Sequence, residues 1–230
     1  MELLKSNPII DEEWKPSLDL DCNRFFSRAM KFAQTNYHVH LSKIANTFYS
    51  RISPTVFFEE YIWRVCCAGS SPEIVTPYFP ELVTELLPYH QTLWNGNWFL
   101  SREPKRKMVD ELTGNSAKFD AFAYTAKTLC YGIKLYGWNR YRNHFLDKTT
   151  HLEIFPFISK ENSARLASSI GLEGFFFEEP ILMNMAKHWG FVSVPDMINT
   201  LASQFVLQTR VIALILWYAA MSFPLNFPES

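Results

Sequence analysis

Two adjacent carboxylates, Glu178 and Glu179, stand directly before Pro180. Placed beside a substrate at the start of a helix, such a pair can activate a nucleophile or move a proton. It can equally do no more than put favourable charge on the helix dipole. A second chemical candidate is the run Arg102–Lys107, REPKRK, with four cations in six residues. Lys105, Arg106 and Lys107 suit contacts to phosphate, or a solvated charged face. Trp94 and Trp98, around the turn pair Asn95-Gly96, can stack on bases or anchor a loop in the core. His38 and His40 would share a face only on a strand, and no third metal ligand stands near them. Their surroundings continue as helix instead, so no metal is expected.

The elements that must position these groups are helices. The 230 residues are 48% hydrophobic and 16% aromatic, with only eight glycines. That composition supports a substantial core and argues against disorder, and few glycines with long amphipathic runs favour an all-α fold over a sandwich or barrel. A length of 230 suits one large domain or two tightly packed lobes. The net charge of −1 argues against a wholesale polyanion binder but leaves room for a local basic face. Four scattered cysteines without a CxxC motif read as free thiols of a reducing compartment. No leader-like apolar run follows the first residues, and the most apolar segment, Val211–Met221, is shorter than the roughly 20 residues a bilayer needs. A soluble protein of the cytoplasm, with no membrane partner, is expected.

In chain order, residues 1–20 read as an arm and 21–230 as the helical domain. Asp21 caps a helix to about Gln34, and Ser53-Pro54 opens one that Gly69 stops. A short helix follows over Glu81–Leu87. Asn115 or Ser116 caps a helix reaching about Gly132, and Trp138–Lys148 is a basic-aromatic helix that turns Arg140 and Arg142 toward a phosphate backbone. Pro195-Asp196 starts another helix, and Gln208–Met221, apolar on nearly every face, predicts a buried central helix.

Between them lies the most specific pattern, HLEIFPFISKENSARLASSIGLEG. It reads as a helix end, a tight turn at Pro156-Phe157-Ile158-Ser159, and a helix from Lys160 to Ile170 closed by Gly171. With the loop and helix start that follow, it resembles the helix-hairpin-helix segment of the DNA glycosylase superfamily, over about 141–171. Phe57–Trp63 and Arg210–Trp217 resemble an early and a late helix of the same superfamily, so the resemblance spans about residues 50–220.

The resemblance implies a two-lobed glycosylase-like fold whose hairpin amides hold a phosphate of double-stranded DNA. Phe157, Ile158, Ser159, Lys160 and Asn162 would be the contacting positions, and the hairpin carbonyls of the family can hold a monovalent cation. Ser159 replaces the second glycine of the family turn; in a left-handed conformation a serine there would cost on the order of 1 kcal/mol. Glu179, with Glu178 beside it, falls near the family's essential carboxylate, where it would stabilise a cationic sugar or activate a nucleophile. The Schiff-base lysine of bifunctional members is replaced by Glu161, which leaves Lys160, one residue earlier, as the candidate catalytic lysine. Trp94, Trp98, Phe175 and Phe176 would supply the wedge or base pocket. The resemblance extends to phage glycosylase-like proteins of thymine hypermodification, which join an amino acid or amine to an activated hydroxymethyl pyrimidine. The expected function is therefore base flipping with transfer onto the base. Base excision and a non-catalytic DNA binder are the alternatives.

Overall fold

Asp21, Ser53, Asn115, Ser159 and Ser193 open five of the helices, as their short side chains accept a hydrogen bond from an unpaired first-turn amide. A computed structural model describes residues 21–87, 102–172 and 180–222; the arm 1–20 lies outside the described residues. Among the described residues the regular structure is entirely helical. Asp21 accepts from the Arg24 amide at the start of α1 (Cys22–Asn46), and Ser53 accepts from the Val56 amide before α2 (Pro54–Cys67). A single turn α3 (Pro72–Val75) and α4 (Phe79–Leu86) lead to α5 (Arg102–Thr113). Asn115 caps α6 (Ser116–Tyr136), which is followed by α7 (Trp138–Phe145), the short α8 (Thr149–Leu152) and α9 (Lys160–Ser169). The chain ends with α10 (Pro180–His188), α11 (Val194–Phe205) and α12 (Thr209–Ser222).

The chain divides into two compact units. One comprises residues 48–172; the other joins 1–47 to 173–230. In the unit built from the two chain ends, α12 is the central helix, packed by α1, α10 and α11. Its residues 211–216 are buried all round, as their uniform apolarity predicts. Helix α1 runs well past Gln34 and bends at Tyr37 (φ −132°, ψ 22°), whose ring stacks on Tyr218 with centroids 3.8 Å apart. His40 Nδ1 bonds the Tyr218 hydroxyl, and His38 lies on the same helix. Arg210, 1% exposed, is held by Gln208 Oε1 at 2.8 Å from Nη2 and 3.0 Å from Nε.

In residues 48–172 the core is aromatic. Phe57 and Tyr61 of α2 meet Phe155, Tyr61 also meets Phe122 of α6, and Phe58 stacks on Tyr61, all fully or almost fully buried. Helix α6 runs beyond Gly132 to a stop at Gly137 (φ 71°). Gly132 instead lies under the ring of Tyr141: a Cβ there would fall 2.2 Å from a ring carbon. Its role is close packing of α6 on α7, not termination. Helix α7 stops at Phe145, earlier than its charge pattern predicts. Among the described residues no single helix is long and apolar enough to cross a membrane.

Candidate nucleic-acid interface

The segment expected to form the hairpin folds as α8, a tight turn and α9. The Ile158 amide donates to the Phe155 carbonyl, closing a four-residue turn with Pro156 and Phe157 at its centre. Phe157 has φ 64°. Proline fixes a negative φ at the second position, so a positive φ at the third makes this a type II turn, where glycine is the usual residue. The left-handed position is thus Phe157, not Ser159. Ser159 has φ −73° and ψ 171° and is the N-cap of α9, its hydroxyl accepting from the Asn162 amide at 3.3 Å. The cost expected for serine falls on Phe157 instead, and Ser159 is among the residue types best suited to its position.

Three anchors hold this unfavourable turn. Phe155, 1% exposed, packs on Phe57 and Tyr61 with centroid distances of 5.6 and 5.9 Å. The Tyr61 hydroxyl donates to the Pro156 carbonyl at 3.0 Å. Ile158 is buried. Burial pushes the Tyr61 phenol above its usual range, with the Thr125 hydroxyl opposing in part, so it stays a donor at neutral pH. What the turn shows to solvent is the rest: Phe157, Ser159, Lys160 and Glu161 are exposed, and Asn162 is half-buried. With Tyr124 of α6, the segment Glu153–Ser159 lines a shallow depression. Glu153 accepts from the Ser163 hydroxyl at 3.3 Å.

The chemistry expected of α9 is constrained. Glu161, which the resemblance sets at the place of a Schiff-base lysine, forms an ion pair with Arg165 at 2.6 Å. Lys160 is exposed at the first position of the helix. For a cation, the Phe155 carbonyl accepts from the Ile158 amide and the Pro156 carbonyl from Tyr61, so each has one lone pair left. Among the described residues no group of three or more His, Cys, Asp or Glu could hold a metal ion.

The basic residues separate into used and available. Arg142, expected at the phosphate backbone, is 6% exposed and faces inward. Its Nη1 donates to the Ser50 carbonyl at 2.8 Å and its guanidinium lies over the Tyr49 ring, whose hydroxyl donates to the Arg142 carbonyl at 2.6 Å. The residue ties α7 to the segment before α2 and is not a phosphate contact. Arg140 is exposed, its guanidinium 5.9 Å from the centre of the Tyr136 ring. Lys105, Arg106 and Lys107 follow one another on α5, so they point about 100° apart and do not converge. Lys105 donates to the Glu85 carbonyl at the end of α4 at 2.8 Å. Partial burial lowers its pKa, with Glu85 opposing. Arg106 pairs with Asp120 and covers Phe119. Lys107 is exposed, 3.7 Å from Glu111.

Glu178, Glu179, Phe175, Phe176, Trp94 and Trp98 lie outside the described residues. One feature of the basic surface escapes motif reading. Between Asp120 and Asp147 the chain holds no carboxylate, although acids and bases are balanced overall at 23 and 22. That acid-free run, residues 121–146 of α6, α7 and their link, is readable as a charge pattern. Comparison with known protein families, curated proteins and solved structures finds no match for the chain.

Proposed function

We propose that the α8–α9 hairpin grips the backbone of double-stranded DNA and that the chain acts on a base flipped out of that duplex. The observation that carries the reading is the type II turn at Phe155–Ile158 feeding directly into the Ser159-capped start of α9, with Ser159, Lys160 and Glu161 open to solvent. A turn of this kind presents backbone amides and the positive end of the helix dipole to one phosphate. The resemblance to the glycosylase superfamily supplies the reaction: the amine of an amino acid or other donor attacks the methylene of an activated hydroxymethyl pyrimidine, the activating group departs with its C–O bond electrons, and Glu179 or Glu178 takes the amine proton. The ion pair of Glu161 with Arg165 speaks against a Schiff-base lyase on α9, since an acid tied to its neighbour stands where the lysine would be. Excision of a base by Glu179 is the second reading, and binding without chemistry the third.

Nucleoside mass spectrometry decides among them after the protein is incubated with duplex DNA containing thymine, uracil, 8-oxoguanine or activated hydroxymethyluracil, with and without free amino acids. A mass gain on the pyrimidine supports transfer, and a lost base supports excision. Salt-dependent duplex binding with unchanged nucleosides, the same for E178Q and E179Q, supports the binder. Absence of duplex binding at low salt overturns all three.

A further inference from the structure

We propose that the outward face of α6 is a platform for single-stranded nucleic acid, with bases stacked on Tyr124 and Tyr131 and phosphates held by Lys127, Lys134 and Arg140. Tyr124, Lys127, Tyr131 and Lys134 recur at steps of three and four, which puts them in one stripe about 80° wide and about 15 Å long. Tyr124 is 55% and Tyr131 66% exposed, and both lysines are exposed. Large rings left in water along one line are not explained by the core of this unit, which α6 builds with Phe119, Phe122, Ala126 and Leu129 on its other side.

Charge identifies the occupant. Residues 121–146 contain four Lys or Arg and no acid, in a chain whose net charge is −1. Of those cations only Arg142 is buried. The one acid of α6, Asp120, is tied to Arg106. Alternating aromatic and basic side chains match a strand that offers base faces and phosphates in alternation. A duplex keeps its base faces stacked inside and cannot use the tyrosines. A second copy of the helix, or any apolar partner, would bury Lys127 and Lys134 in its seam without a counter-charge.

The stripe also has a starting point. Tyr124 lines the same depression as the hairpin turn. A strand whose phosphate sits on α9 passes onto α6 as it separates from its complement. That continuity rests on the hairpin reading; affinity for a free single strand does not.

The test is fluorescence anisotropy of the full chain with labelled oligo-dT and with a duplex of equal length. Y131A is expected to weaken oligo-dT binding about tenfold, as loss of one stacked base does, while Y131F stays within about twofold. K127A and K134A should each lower the slope of log K against log salt by about 0.7. Duplex affinity of all four variants should stay within about twofold of the parent chain. Oligo-dT binding that is absent at low salt, or unchanged in Y131A, overturns the platform while duplex binding keeps the hairpin. An unchanged salt slope in K127A and K134A overturns it even where Y131A fails to fold. Self-association that Y131A abolishes overturns it in favour of a second copy. Oligo-dT binding lost in Y131A and retained in Y131F, without any duplex binding, supports the platform and removes the hairpin reading.

Discussion

The hydroxyl of Tyr61 donates to the carbonyl of Pro156 at 3.0 Å, joining residues 95 positions apart. The same oxygen lies 3.3 Å from the Ala121 carbonyl, so one phenol on α2 stands between the hairpin turn and α6. The hairpin leans on that support because the left-handed Phe157 opposes the turn that Pro156 favours.

Tyr61→Phe removes the donor and leaves a buried carbonyl poorly satisfied. The expected loss is about 1–2 kcal/mol of stability, read as a lower urea midpoint at unchanged slope. Because the turn loses an anchor, duplex affinity should fall further than this stability loss accounts for. A midpoint equal to that of the parent chain contradicts the support.

Phe157 occupies a left-handed position that costs a residue with a Cβ roughly 1 kcal/mol or more. Phe157→Gly should therefore be more stable than Phe157→Ala by about 1 kcal/mol, the reverse of the order expected at an ordinary exposed site. Paired thermal melts of the two variants check this; equal melting temperatures count against the positive φ.

Gly132→Ala drives a methyl group into the Tyr141 ring and should destabilise by about 1–3 kcal/mol. Combining it with Tyr141→Ala should cost less than the two single changes added together, since the clash then has no second partner. Strict additivity in denaturant titrations would remove the contact from the account.

Arg142→Ala and Arg140→Ala should separate cleanly. The first removes charged hydrogen bonds from a buried guanidinium and is expected to cost about 2–3 kcal/mol. The second should leave stability within about 0.5 kcal/mol and act on nucleic-acid affinity alone. Calorimetry beside anisotropy distinguishes them.

Alkaline pH should unfold residues 48–172. Burial raises the phenols of Tyr49 and Tyr61 and takes Tyr141 up to about 12, with Tyr124 adding to the last. Burial likewise pushes the Cys66 thiol up to about 12, with Lys118 opposing. Each group has a folded value above its unfolded one, so the unfolded chain loses protons first as pH rises. The stability they contribute is complete below about pH 9 and is lost between there and about pH 12. Melting temperature followed by circular dichroism should be flat near pH 8 and fall steeply above pH 10. A flat profile to pH 11 would contradict the burial of these groups.

Helix type and several helix starts are legible because they rest on local chemistry: Asp21, Ser53 and Asn115 each cap with their own side chain, whereas Ser159 caps α9 where the resemblance implies a turn glycine. Ends were less legible. Gly132 looks like a stop in sequence and is a packing site in space, because only the Tyr141 ring, nine residues on, reveals its use. Arg142 and Arg140 are indistinguishable by spacing from a helix face; burial beside Tyr49 decides between them. The strained residue is Phe157, two positions before the Ser159 that the resemblance implies, since a pattern of residue types does not say which φ is positive. Lys105, Arg106 and Lys107 look like a cluster along the chain and diverge around a helix axis.

The positive φ of Phe157 also sets an order of events. A turn strained at Phe157 is a poor nucleus; it gains its anchors only once Tyr61 and Phe57 are in place to receive Pro156 and Phe155. The hairpin is therefore among the last elements of its unit to form. Substitutions confined to it should change the rate of unfolding and leave the rate of folding nearly untouched.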